Sequence, residues 1–196
     1  MVLTRGSASG ALSDYLIGQA GQRTVIGDNQ DAGLVARGAD LSSCGRYRYV
    51  LHREWAPRTA RMLFIMLNPS TADALVDDPT IRRCMGFARR EKYGGIDVVN
   101  LYAWRATDPR ELAEAFDPQG PDNDRYLDDR IREQAQSDAL IICAWGAHPI
   151  ATEVGDALIT RYKLEGVDFH CLGKTKDGHP KHPLYVPANE LIVGYP

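Results

Sequence analysis

Between Arg61 and Leu172 the chain repeats one arrangement, a short apolar run followed by a polar stretch with helical spacing. The runs are Arg61 to Leu67, Ile96 to Leu101, Ala139 to Trp145 and Phe169 to Leu172. Each is bounded by turn residues, as a strand buried on both faces of a parallel sheet would be. Between the first two, Asp78 is placed to N-cap a helix with Pro79 at its first position. Ile81, Cys84, Met85 and Ala88 follow helical spacing there, and Gly94-Gly95 ends the pattern. Further helices are expected near 109–116, from Pro121 to Gln136, and from Pro149 to Lys163. Strands alternating with helices predict an α/β fold, a three-layer α/β/α sandwich on a mainly parallel four-stranded central sheet.

The first 43 residues read differently. Eight glycines fall between positions 6 and 45, and the apolar pairs Leu16-Ile17 and Val25-Ile26 are isolated. This predicts a Gly-rich, loosely structured arm or short hairpins over 1–43, and a single α/β domain over 44–196. Arg46-Tyr47-Arg48-Tyr49-Val50-Leu51-His52 alternates partly, as a half-exposed strand at the edge of the sheet would. No run of about 18 apolar residues is present and no signal-peptide pattern is visible, so no membrane and a cytoplasmic location are expected. The cysteines Cys44, Cys84, Cys143 and Cys171 form no C-x-x-C pair and are expected reduced, mostly buried.

In such folds the site lies beyond the carboxyl ends of the strands. Four polar clusters stand there. After the first run come Asn68, Pro69, Ser70, Thr71 and Asp73; after the second, Asn100, Tyr102, Trp104 and Arg105. The third ends in Trp145, Gly146 and His148, and the fourth in a loop with His179 and His182. Asn68 precedes a proline and is biased to extended backbone; its carboxamide is able to hold a water or read a base edge, or to close an Asx-type turn. Asn100 ends an apolar strand and must find partners if buried, in backbone or in a ligand. Tyr102 and Trp104 are placed to stack on a planar ligand or to pack at the sheet rim. His179 and His182, with Cys171 or His148, are a partial metal-ligand set; a single histidine donating to a developing anion needs no metal.

Several functions are excluded. Gly173-Lys174-Thr175 resembles the end of a P-loop, but Asp168 stands where that motif needs glycine. Neither G-x-G-x-x-G after a strand nor G-x-S-x-G occurs. The formal net charge of -3 argues against a cationic nucleic-acid coat. The one basic concentration is Arg82, Arg83, Arg89, Arg90 and Lys92, either a phosphate contact or a solvated face. Residues 108–138, with ten acids and four arginines, would repel a duplex.

Two resemblances follow from these residues. Cys44-x-Arg46-Tyr47-Arg48-Tyr49, Met66-Leu67-Asn68-Pro69-Ser70-Thr71-Ala72-Asp73 and Asp78-Pro79-Thr80-Ile81-Arg82-Arg83-Cys84 are three of the motifs. With Asn100-Leu101, Gly120-Pro121-x-Asn123-Asp124, Ala144-Trp145-Gly146-Ala147-His148 and Gly178-x-Pro180-x-His182-Pro183-Leu184-Tyr185, the chain resembles the bacterial and phage family called domain of unknown function 1643. That name carries no activity. More distantly, Asn68-Pro69, Asn100, Trp145-Gly146 and His182-Pro183 stand in the order of motifs of the uracil-DNA glycosylase superfamily. That resemblance implies the superfamily's fold, Asn68 as water positioner, Asn100 as base reader and His182 as stabiliser of the departing base, with His179 a rival. Met66 stands where that superfamily has glycine.

The function expected is therefore hydrolysis of an N-glycosidic bond in a nucleobase-bearing substrate: a nucleobase, nucleotide or DNA. Asn68, His182 and His179 are the catalytic candidates, with no cofactor and no metal. Two alternatives stay open: a binding module reading a base with Asn100, Tyr102 and Trp104, and a metal-dependent hydrolase built on the histidines.

Overall fold

A computed structural model of the chain describes residues 14–17, 22–26, 33–70, 72, 74–108, 110–137 and 139–196. In chain order the strands are β1 (Asp14–Ile17), β2 (Gln22–Ile26), β3 (Ala36–Leu41), β4 (Arg48–Glu54) and β5 (Arg61–Met66). They continue with β6 (Gly95–Asn100), β7 (Ile141–Cys143), β8 (Phe169–Cys171) and β9 (Val193–Tyr195). The helices are α1 (Pro79–Arg90), α2 (Arg110–Glu114), α3 (Asn123–Gln136) and α4 (Pro149–Lys163), and Pro183–Tyr185 forms a 3-10 turn.

The fold is mixed α/β, and among the described residues one sheet runs β1-β2-β3-β4-β6-β5-β7-β8-β9. It is nine-stranded, which corrects the expected four. The four apolar runs are β5 to β8 and pair in parallel as β6-β5-β7-β8, while every other pairing is antiparallel. The antiparallel strands carry no apolar run to betray them; β3 reads Ala-Arg-Gly-Ala-Asp-Leu. β1, β2 and β3 all precede residue 44, and β3 is paired with β4 across it. Residues 1–13, 18–21 and 27–32 of the expected arm lie outside the described residues.

The two faces of the sheet bury separate cores. On one, Met62, Phe64, Met66, Ile96 and Val98 pack on Ile81, Cys84, Met85 and Ala88 of α1. On the other, Leu63, Ile65, Val99, Ile141 and Phe169 pack on Leu127 and Ile131 of α3 and Ile159 and Tyr162 of α4. The period-2 alternation of each strand thus feeds two apolar surfaces, which is why the parallel runs are apolar throughout. α1 begins where its cap predicts: the Asp78 carboxylate accepts from Ile81 N at 2.8 Å, with Pro79 next. It ends at Arg90, earlier than the expected Gly94-Gly95, and Lys92 reverses the chain at φ 65.

β4 is interior, not the half-exposed edge strand expected. β3 covers one side and β6 the other, and Tyr47 to Leu51 are all buried. Its register on β3 skips Tyr49, since Asp40 pairs Val50 and Leu41 pairs Arg48. The extra residue sends Tyr49 and Val50 together to the α3 face and turns Arg48 to the α1 face, where it donates to Ala72 O.

Candidate functional site

β5 and β7 are neighbours, yet the chain leaves them in opposite directions. After β5 it crosses to α1 on one face, and after β7 to α4 on the other. Loops that part in this way open a crevice beyond the carboxyl ends of the two strands. The β5 side of the crevice presents Asn68, Pro69 and Ser70. The β7 side presents Gly146.

Asn68 is half-buried, and its Nδ2 donates to Ala106 O at 2.8 Å and Pro69 O at 3.2 Å. Two carbonyl acceptors fix the amide's orientation, so Oδ1 is the atom left to accept from a water or substrate. The bond to Ala106 O and that from Ala106 N to Pro69 O (3.0 Å) clamp this loop to the one after β6. Ser70 Oγ donates to Asp78, which also caps α1.

His182 closes the crevice from the C-terminal side. Gly146 has φ +80, open to glycine, and a Cβ there would sit 3.5 Å from His182 Cβ. His182 Nδ1 accepts from Leu184 N at 3.3 Å. The proton of the neutral ring therefore sits on Nε2, the remaining donor. Burial pushes the His182 pKa below its ordinary 6.5, against the pull of the Asp78 carboxylate. A neutral imidazole with one free N–H is suited to stabilise a developing anion by donating a hydrogen bond to it.

Arginines hold both walls, Arg37, Arg48 and Arg53 from the sheet and the basic run of α1 from the other side, where it donates to backbone carbonyls. Arg37 donates to Leu75 O at 2.8 Å, Arg48 to Ala72 O, and Arg53 Nε reaches Asp77 Oδ1 at 2.7 Å. All three brace the segment between β5 and α1 from the antiparallel half of the sheet. From α1, Arg83 donates to Pro183 O and Val186 O, and Arg90 to Ala188 O and Glu190 O. The basic run on α1 thus binds the segment that carries His182; Arg89 lies over the Trp55 ring, 4.6 Å from its centroid. The available signal was an arginine amid apolar strand residues, as at Arg48 and Arg53.

Other candidates are placed elsewhere. Tyr102 is buried and its hydroxyl donates to Ile150 O at 2.9 Å. Trp145 is 3% exposed, packs edge-on to Tyr195, and leaves no room for a side chain at Gly155, whose Cβ would meet it at 2.8 Å. His148 caps α4 through Nδ1 and Ile150 N at 3.4 Å. Asn100 is 1% exposed on the α1 face, with neither amide atom hydrogen-bonded. His179 closes a turn through its backbone with Thr175. Cys171 is buried in the core, and burial raises its thiol pKa. No group of three or more His, Cys, Asp or Glu among the described residues is arranged to hold a metal. Thr71 and Asp73 lie outside the described residues. Among those described, no helix is long and apolar enough to cross a membrane.

Beside the crevice a cleft of about 380 Å³ is lined by Gly45, Arg46, Ser70, Trp104, Arg105, Ala106, Thr107 and Glu111. It takes in Ser70, Trp104 and Arg105 of the expected binding residues but not Asn68, Asn100 or His182.

A family model for proteins of unknown function, DUF1643, matches residues 48–184. The match covers well over half of the chain, and the protein belongs to that family. No curated protein and no solved structure matches it.

Proposed function

We propose that this member of the DUF1643 family hydrolyses the N-glycosidic bond of a nucleobase-bearing substrate, on a site plan like that of the uracil-DNA glycosylases. The observation that carries the reading is His182: a ring that burial holds neutral, its Nδ1 occupied by backbone and its Nε2–H free, close to Gly146. Asn68 Oδ1 accepts from the attacking water, whose oxygen bonds to C1′ of the sugar. The C1′–N bond breaks with its electron pair going to the base. His182 Nε2–H donates a hydrogen bond to the anion developing there, and the water's proton ends on the released base. Asn100, a buried carboxamide with no partner among the described residues, has the donor and acceptor that reading a base edge requires.

The test is base release from single- and double-stranded DNA carrying uracil, damaged bases and phage-type modified bases, and from free nucleotides. Wild-type protein releases one class of base, and Asn68→Ala lowers the rate by roughly 100-fold or more. No release from any substrate, or release unchanged in Asn68→Ala, contradicts the reading. The second reading, a binding module without turnover, is favoured by the Trp104 cleft and predicts saturable binding with no product.

A further inference from the structure

The cleft at Trp104 contains an arginine whose hydrogen bonding is unfinished. Arg105 Nη1 donates to Gly45 O at 3.2 Å, but its Nε is buried with no partner, and Arg105 makes no ion pair among the described residues. A buried guanidinium N–H without an acceptor is costly, and an anion is what would complete it. A second guanidinium stands in the same lining: exposed Arg46, lying over the Trp104 ring 5.7 Å from its centroid. Trp104 is held edge-on by Tyr47 at 5.5 Å and offers, with Ala106, an apolar wall. Among the described lining residues Glu111 is the one carboxylate, against two arginines. The volume fits a ligand the size of a mononucleotide.

The cleft is also wired to the crevice. Ser70 lines it and donates to Asp78; Ala106 lines it and accepts from Asn68. A ligand seated there touches Ala106, one hydrogen bond from Asn68, and Ser70, bonded to the Asp78 carboxylate whose charge reaches His182.

We propose that this cleft binds a nucleoside 5′-phosphate, with Arg46 and Arg105 on the phosphate and Trp104 and Ala106 against the sugar and base. The ligand is a free mononucleotide or the phosphate-bearing end of a strand. The inference rests on the nucleotide reading above for the identity of its ligand, and the two fail separately. Binding without base release keeps the cleft and loses the chemistry. Base release at a rate and KM untouched by Arg46→Gln keeps the chemistry and loses the cleft.

Calorimetry on the full chain tests it with the four 2′-deoxynucleoside 5′-monophosphates, their nucleosides, inorganic phosphate, and a short single strand with and without a 5′-phosphate. At least one phosphorylated probe binds tenfold or more tightly than both its unphosphorylated counterpart and inorganic phosphate. Arg46→Gln weakens that probe by roughly tenfold or more, the size of a lost charge-assisted contact, with an unchanged melting curve because Arg46 is exposed. Binding confined to the monophosphates identifies a free nucleotide; binding confined to the phosphorylated strand identifies a nucleic-acid end. A chemical reporter is built in. The Ser42 hydroxyl and Arg46 bring the exposed Cys44 thiol down to about 7, so phosphate on Arg46 raises that value and slows alkylation of Cys44 at neutral pH. The proposal is overturned if no phosphorylated probe binds better than its counterpart, if inorganic phosphate binds as tightly as the best probe, or if Arg46→Gln changes nothing.

Discussion

His148 and His182 are each followed by proline, and each accepts on Nδ1 the backbone N–H two residues on, at 3.4 and 3.3 Å. Their surroundings differ. His148 opens the fifteen residues of α4, and its bond satisfies one of the free N–H groups of a long helix. His182 opens a three-residue turn with almost no helix to cap. That turn is held from outside, by Arg83 of α1 on the carbonyls of Pro183 and Val186. Capping fixes the same tautomer in both rings. At His182 the backbone also stands close to Gly146, with 3.5 Å between the His182 Cβ and a Cβ built on that glycine, and burial lowers the pKa of the ring against the pull of Asp78. The same dipeptide is therefore a helix start in one place and a held donor in the other.

The largest effect should separate the two histidines directly. His182→Ala is expected to lower base release by roughly 100-fold or more, and His148→Ala by only a few-fold, in parallel steady-state assays. Next comes the brace. Arg83→Met removes the bonds to the 183–186 segment and should lower kcat by about tenfold with KM little changed, because it moves a donor needed in the transition state. Arg83→Lys should recover part of the loss. Third, His148→Ala should destabilise the protein by about 1 kcal/mol in a urea melt, the size of a lost N-cap bond, and more than His182→Ala does.

The smallest effect is the pH profile. His182 is held below 6.5, so if its neutral form donates, activity stays level from neutral pH down past 6.5 before falling. Stability has its own limb. Burial, with Arg61 and Arg53 close by, lowers His52 to about 4. The unfolded chain takes up this proton near pH 6.5 and the folded chain only near 4, so stability drops as pH falls through that window. Melting curves across pH 4 to 7 distinguish this loss from the catalytic limb.

The parallel half of the fold was legible because β5 to β8 are buried on both faces, which writes them as apolar runs. The antiparallel half was not, because β3 has one buried alanine, a buried glycine and the charged Arg37 and Asp40, and β4 carries Arg48 and Arg53 inside the protein, where sequence rules place such residues outside. At the candidate site, Asn68, Ser70, Gly146 and His182 are legible as members of the loops that follow strands. Tyr102 and Trp145 share that position yet pack into the core, since local sequence does not show which way an aromatic at a sheet rim turns. Asp78 was read as a helix cap and serves as one. Its second partner, Ser70, comes from eight residues before, and its charge acts on His182, 104 residues after, a proximity only the fold creates.

The most direct test of the account is the initial rate of free-base release by wild type, His182→Ala and His148→Ala on the best substrate of the panel, at neutral pH and equal folded fraction. The account predicts that the His182 variant loses nearly all of the rate while the His148 variant retains most of it. Equal losses in the two variants, or a His182 variant as fast as wild type, would contradict it.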